Sequence, residues 1–130
     1  MSEQSSPRVA ILDDDPDLVE ALSFLLHDLG YSVLACRPTA DAARCLSDLA
    51  PHLIILDLRL GALDGLSVFH QIRADPRTRA TPVIFFSATE DRVRRRLPDY
   101  QERGASFVGK PSIAQLSARI TELLQGSGTT

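Results

Sequence analysis

Five short apolar runs, each followed by a stretch of helical spacing, constrain this chain more than any other feature. Residues 8–12 (RVAIL), 31–36 (YSVLAC), 52–56 (HLIIL), 82–86 (PVIFF) and 105–108 (ASFV) read as strands. HLIIL and PVIFF are apolar without alternation, as strands buried on both faces are. Asp15-Pro16 opens the first helix with a cap and a proline at the first helical position. Leu18, Leu22, Leu25, Leu26 and Leu29 follow at helical spacing, and Gly30 stops the helix. Further helices are expected over 39–49 and about 65–73, and from near Ser112, where Ser112 and Gln115 have capping-box spacing. In 89–104, Val93, Leu97 and Tyr100 keep helical spacing, but Pro98 would break a helix passing through it. A helix there starts late, ends early or kinks. The pattern is α/β, a (βα)5 doubly wound parallel five-stranded sheet with right-handed crossovers.

Composition narrows the class. The 130 residues are 44% apolar and 24% charged, the make-up of one globular domain whose core needs no disulfide or metal staple. Residues 1–7 and 125–130 read as flexible tails around one unit at 8–124. The start, MSEQSSP, lacks the basic and apolar regions of a signal peptide. No apolar run approaches the ~18–20 residues of a membrane span. A soluble cytoplasmic protein is expected, with no membrane partner. The net charge of −3 makes no case for direct nucleic-acid binding. Charge is uneven, however: residues 1–64 hold 11 acids and four bases, and residues 65–130 hold six acids and ten bases. Thirteen of the 14 bases are arginine, and Lys110 is the one lysine.

In such sheets ligands bind outside the carboxyl ends of the strands. Asp13, Asp14 and Asp15 follow the first strand, and Asp57 follows the third. Ser87, Ala88 and Thr89 follow the fourth, and Gly109, Lys110 and Pro111 follow the fifth. A parallel sheet puts all four groups on one edge. Carboxylates gathered there repel unless a cation joins them, and oxygen-only donors suit a hard divalent ion, Mg²⁺. Lys110 offers a point charge to a phosphate oxygen, and Ser87 offers a hydroxyl to another. A carboxylate in this company can be a nucleophile and form an aspartyl phosphate, with metal and lysine stabilising the transferred group.

In order and spacing these residues resemble the receiver domains of two-component response regulators, over about residues 8–124. The resemblance implies a flavodoxin-like fold with strand order 2-1-3-4-5. It implies Mg²⁺ bound by Asp13, Asp14, Asp57 and the backbone carbonyl of Arg59. Asp57 becomes the phosphoacceptor, assisted by Ser87 and Lys110. Ser87 and Phe107 become the switch pair, and the peptide bond before Pro111 is expected to be cis. The implied partners are a histidine kinase or phosphotransfer protein, with a possible homodimer through the face at 90–124. Such a domain is a switch that catalyses its own phosphorylation and slow autodephosphorylation, not a turnover enzyme. Two departures stand out. Gly61 sits where many receivers have proline, and Phe107 replaces the commoner tyrosine. Arg59 and Thr89, each two residues past a site group, are expected to border the path of the hydrolytic water.

Other residues read as structural. Asp15 is a helix cap, Asp64-Gly65 is turn chemistry, and RVRRR at 92–96 is a solvated helix face. Cys36 and Cys45 read as separate core or half-buried thiols. His27, His52 and His70 are scattered and without catalytic partners. A haloacid-dehalogenase-type phosphatase would use similar strand-end groups, but it needs further acids after the lysine. Only Glu122 follows Lys110. A receiver-like module that is never phosphorylated is a third reading, and the completeness of the pocket argues against it.

Overall fold

Hydrophobic periodicity becomes topology in the computed structural model, which describes residues 6–125. Residues 1–5 and 126–130, most of the two expected tails, lie outside the described residues. The elements are β1 (Arg8–Leu12), α1 (Pro16–Asp28), β2 (Ser32–Ala35), α2 (Ala42–Asp48), β3 (Leu53–Leu56), β4 (Arg59–Leu60) and β5 (Leu63–Asp64). They continue with α3 (Gly65–Ala74), β6 (Val83–Ser87), α4 (Asp91–Arg96), β7 (Ala105–Gly109) and α5 (Ile113–Leu124). The main sheet is parallel, in the order β2-β1-β3-β6-β7. That is the expected 2-1-3-4-5 order with the hairpin β4–β5 set aside.

Alternation along each strand divides the core. Val9, Ile11, Leu53, Ile55, Ile84 and Phe86 pack with Leu22 and Leu26 of α1 and with Leu116 and Ile120 of α5. Ala10, Leu12, Ile54, Leu56, Val83 and Phe85 pack with Leu46 of α2, Phe69 and Ile72 of α3 and Val93 of α4. Each of these Val, Leu, Ile and Phe side chains stabilises the fold by about 1.5–3 kcal/mol on burial. Asp15 caps α1, accepting from the Asp17 and Leu18 amides at 3.1 and 3.3 Å, and Ser112 caps α5, accepting from the Gln115 amide at 3.3 Å. No helix among the described residues is long and apolar enough to cross a membrane.

Three local features differ from the sequence reading, and the segment around α4 takes one of the forms that reading allowed. The loop after β3 contains the antiparallel hairpin β4–β5, pairing Arg59 with Asp64 and Leu60 with Leu63. Gly61, with φ 69°, supplies the positive dihedral that the first turn residue of a two-residue hairpin uses. The second helix is shorter than 39–49, because residues 39–41 form a turn closed by the Ala42 amide on the Thr39 carbonyl. Helix α4 has six residues and ends before Pro98; Leu97, its C-cap, takes an extended φ of −146°, as residues before proline do. Finally, Cys36 and Cys45 are not separate thiols but a disulfide. The turn after β2 folds α2 back over the strand end and brings their Cα atoms to 6.2 Å, within bridging range.

A buried-stem arginine closes the α3 side. Arg73 donates to the carbonyls of Arg103, Thr78 and Gly104 at 2.8, 3.1 and 3.2 Å. Its guanidinium lies 4.8 Å from the Phe69 ring centre. It joins the end of α3 to the segment entering β7.

Candidate functional site

Strand register alone assembles the site. Leu12 and Leu56 are partners across β1 and β3, so Asp13 and Asp57 leave the sheet side by side. The Asp57 amide donates to the Leu12 carbonyl at 3.0 Å. Ser87 and Gly109 are partners across β6 and β7, so Lys110 emerges beside Ser87, and its amide donates to the Ser87 carbonyl at 2.8 Å. The Lys110 Nζ then reaches Asp13 Oδ2 at 2.9 Å and Asp57 Oδ2 at 3.0 Å. Asp13, Asp57 and Ser87 are buried, at 7%, 5% and 2% exposure, whereas Asp14 faces solvent.

One carboxylate oxygen each from Asp13, Asp14 and Asp57 lies within 4.8 Å of the others. With Lys110 in place, the ionised set leaves two negative charges uncompensated. Burial pushes the Asp13 carboxyl above the usual carboxylate range, against the pull of its hydrogen bonds from Lys110 and the Asp15 amide. Burial alone would lower Lys110, but its hydrogen bonds to Asp13 and Asp57 outweigh this and hold it above the ordinary lysine range. The donor set fits a hard divalent cation. It is all oxygen, it carries the right charge, and one side opens to water through Asp14.

The remaining expected residues are placed as follows. Arg59 lies on β4 with an exposed side chain, and its amide points to Asp57 Oδ1 at 3.4 Å. Phe107, in β7, is partly buried against the α3–α4 side of the core. Thr89 is exposed. The Lys110–Pro111 bond is cis. Asp15 serves as the α1 cap, and its own amide donates to Asp13 Oδ1 at 3.0 Å.

Two residues read as turn chemistry prove to support the site. Asp64 caps α3, accepting from the Leu66 amide at 3.3 Å and the Ser67 hydroxyl at 3.2 Å. Arg96 of α4 grips both oxygens of the same carboxylate, at 3.2 and 2.7 Å, and holds it below the usual range. Gly65 starts α3 directly against the backbone of the Asp57 loop, and its amide donates to the Leu58 carbonyl at 2.9 Å. A Cβ here would collide with the Asp57 carbonyl oxygen and fall 2.6 Å from Leu58 Cα. A glycine opening a helix is a poor helix former, and that mismatch was the available signal.

Known proteins resemble this chain over most of its length. The family model described as response regulator receiver domain matches residues 9–121. Transcriptional regulatory protein PrrA of Mycobacterium leprae is 34% identical over 127 residues, covering 97% of this chain and 53% of its own length. The chain thus spans about half the length of the curated relatives it matches. The signal receiver domain of a signal transduction histidine kinase from Syntrophus aciditrophicus superposes with a TM-score of 0.78 at 30% identity, covering 96% of this chain and 95% of that one. The receiver domain of a sensor histidine kinase from Pseudomonas aeruginosa PAO1, solved with a magnesium ion coordinated in its active-site cleft, gives 0.75 at 25% identity, covering 91% and 96%. Its sheet order, strand-end acids and near full-length family match make one conclusion: this chain belongs to the response regulator receiver domains of two-component signalling.

Proposed function

We propose that Asp57 accepts a phosphoryl group from the phosphohistidine of a histidine kinase or phosphotransfer protein. The observation that carries this is Lys110 Nζ held at 2.9 and 3.0 Å between two buried carboxylates, Asp13 and Asp57. An Asp57 oxygen attacks phosphorus and forms an O–P bond. The donor's P–N bond breaks, and its electron pair leaves with the imidazole nitrogen. Lys110 pairs one oxygen of the arriving group and keeps Asp57 oriented, and Ser87 donates its hydroxyl to another. Asp13, Asp14, Asp57 and the Arg59 carbonyl would hold Mg²⁺, which when bound neutralises charge on the phosphoryl oxygens. Burial of Asp13 and Asp57 limits the access of bulk water to the acyl phosphate, and Arg59 and Thr89 border the path of the hydrolytic water. Autodephosphorylation along that path resets the switch.

The phosphoryl group adds about −1.5 to −2 charge and three acceptor oxygens. Ser87 moves toward it and Phe107 turns into the vacated space, shifting a pre-existing equilibrium of the face at 90–124. That face then binds a partner or a second copy of the chain. The receiver unit is assigned to 8–124 and the compartment to the cytoplasm. Incubation with a small phosphodonor and a divalent cation tests the reading. Radiolabel is expected on the wild type and absent from Asp57→Asn; equal labelling of both would refute the assignment.

A further inference from the structure

We infer that the arginine-lined groove between the β4–β5 hairpin and α4 docks a carboxylate-bearing segment of a partner protein. This deepens the reading of 90–124 as an output face, and rests on it. The groove holds about 210 Å³ and is walled by Leu58, Arg59, Leu63, Asp64, Arg92 and Arg96. Three guanidinium groups therefore border one carboxylate, an excess of two positive charges. Arg92 enters no ion pair among the described residues. Arg96 already grips Asp64 with both oxygens engaged, so the groove's geometry is set for carboxylates, the fork-to-fork pairing that arginine favours. Arg94 on the same short helix is paired with Glu90 at 3.2 Å, and the exposed Arg95 offers an extended acidic segment one further positive charge beyond the groove. Its volume falls below the ~300–1,000 Å³ of small-molecule sites, and the half-buried Leu63 suits the stem of a glutamate side chain.

The position gives the docking a consequence. Leu58 and Arg59 directly follow Asp57, and Asp64 precedes the Gly65 that presses on the Asp57 carbonyl. A carboxylate entering here contacts the phosphoacceptor loop and α4 together, and so couples them.

Titrating the labelled full chain with a hexaglutamate peptide, followed by amide NMR shifts, tests this. Saturable shifts are expected at 58–64 and 92–96, weakening with added salt and absent with hexaglutamine. Arg92→Gln with Arg96→Gln should weaken binding about tenfold or more, while Arg119→Gln on α5 leaves it unchanged. Arg92→Gln alone, which breaks no ion pair among the described residues, serves if the double variant does not fold. Shifts spread evenly over the surface, or insensitivity to Arg92→Gln, would overturn the proposal. So would tighter binding of an oligothymidylate or an anionic vesicle at the same residues, or the same shifts arising from chain concentration alone. Phosphodonor labelling of the same samples separates the two readings. Labelled Asp57 without peptide shifts refutes the groove alone, and unlabelled wild type refutes the receiver chemistry.

Discussion

Gly65 and Arg73 show how much of a charged site depends on residues that carry none of its chemistry. Gly65 lets the first turn of α3 lie against the Asp57 carbonyl, a place where any Cβ collides with backbone. Gly65→Ala is expected to lower stability by about 1–3 kcal/mol through overpacking and to slow phosphodonor labelling; thermal melts matching the wild type would contradict this. Arg73 satisfies three backbone carbonyls with one guanidinium. Arg73→Ala should cost about 2 kcal/mol, read as a lower denaturant midpoint. Arg73→Lys should recover less than half of that, because an ammonium cannot reproduce the planar fork. Asp13, Asp57 and Ser87 were legible in the sequence because each directly follows an apolar run, and Lys110 because it lies two residues past one. The supporting role of Gly65 was not, since Asp-Gly is also the commonest turn signal.

At the scale of elements, α4 is the segment that bears most on function. Pro98 announced a short helix, but not that its last turn is tied across to the start of α3. The tie is Arg96 on Asp64, a pair of residues 32 apart in sequence, which no local pattern reveals. Its pH signature follows from the depressed Asp64 carboxyl. Stability from this pair is fully present above the unfolded aspartate value, about 4, and is lost as pH falls through the lower folded value. Wild type should therefore lose stability on acidification below about pH 4 more steeply than Arg96→Ala. The difference should be small, because both side chains remain partly exposed. Parallel acid limbs in denaturant titrations would contradict the tie. The β4–β5 hairpin was equally hidden: its strands are two residues each, below the length at which alternation can be recognised.

For the molecule as a whole, five apolar runs and the residues at their ends carried both the sheet order and the site. Parallel strands deliver all their carboxyl ends to one edge, so topology and chemistry were a single inference. Lys110 sharpens it. In a chain that uses arginine at 13 of 14 basic positions, the compact ammonium stands between two buried carboxylates. The Cys36–Cys45 bridge was illegible for the opposite reason, because a spacing of nine residues says nothing until the β2–α2 turn is known. The central claim is that this edge transfers a phosphoryl group to Asp57, and peptide mapping by mass spectrometry tests it most directly. After treatment with a small phosphodonor and Mg²⁺, the account predicts one phosphoryl group, on the peptide containing Asp57, and none when the metal is chelated before the donor is added. A phosphoryl group on any other residue, or none with Mg²⁺ present, would contradict it.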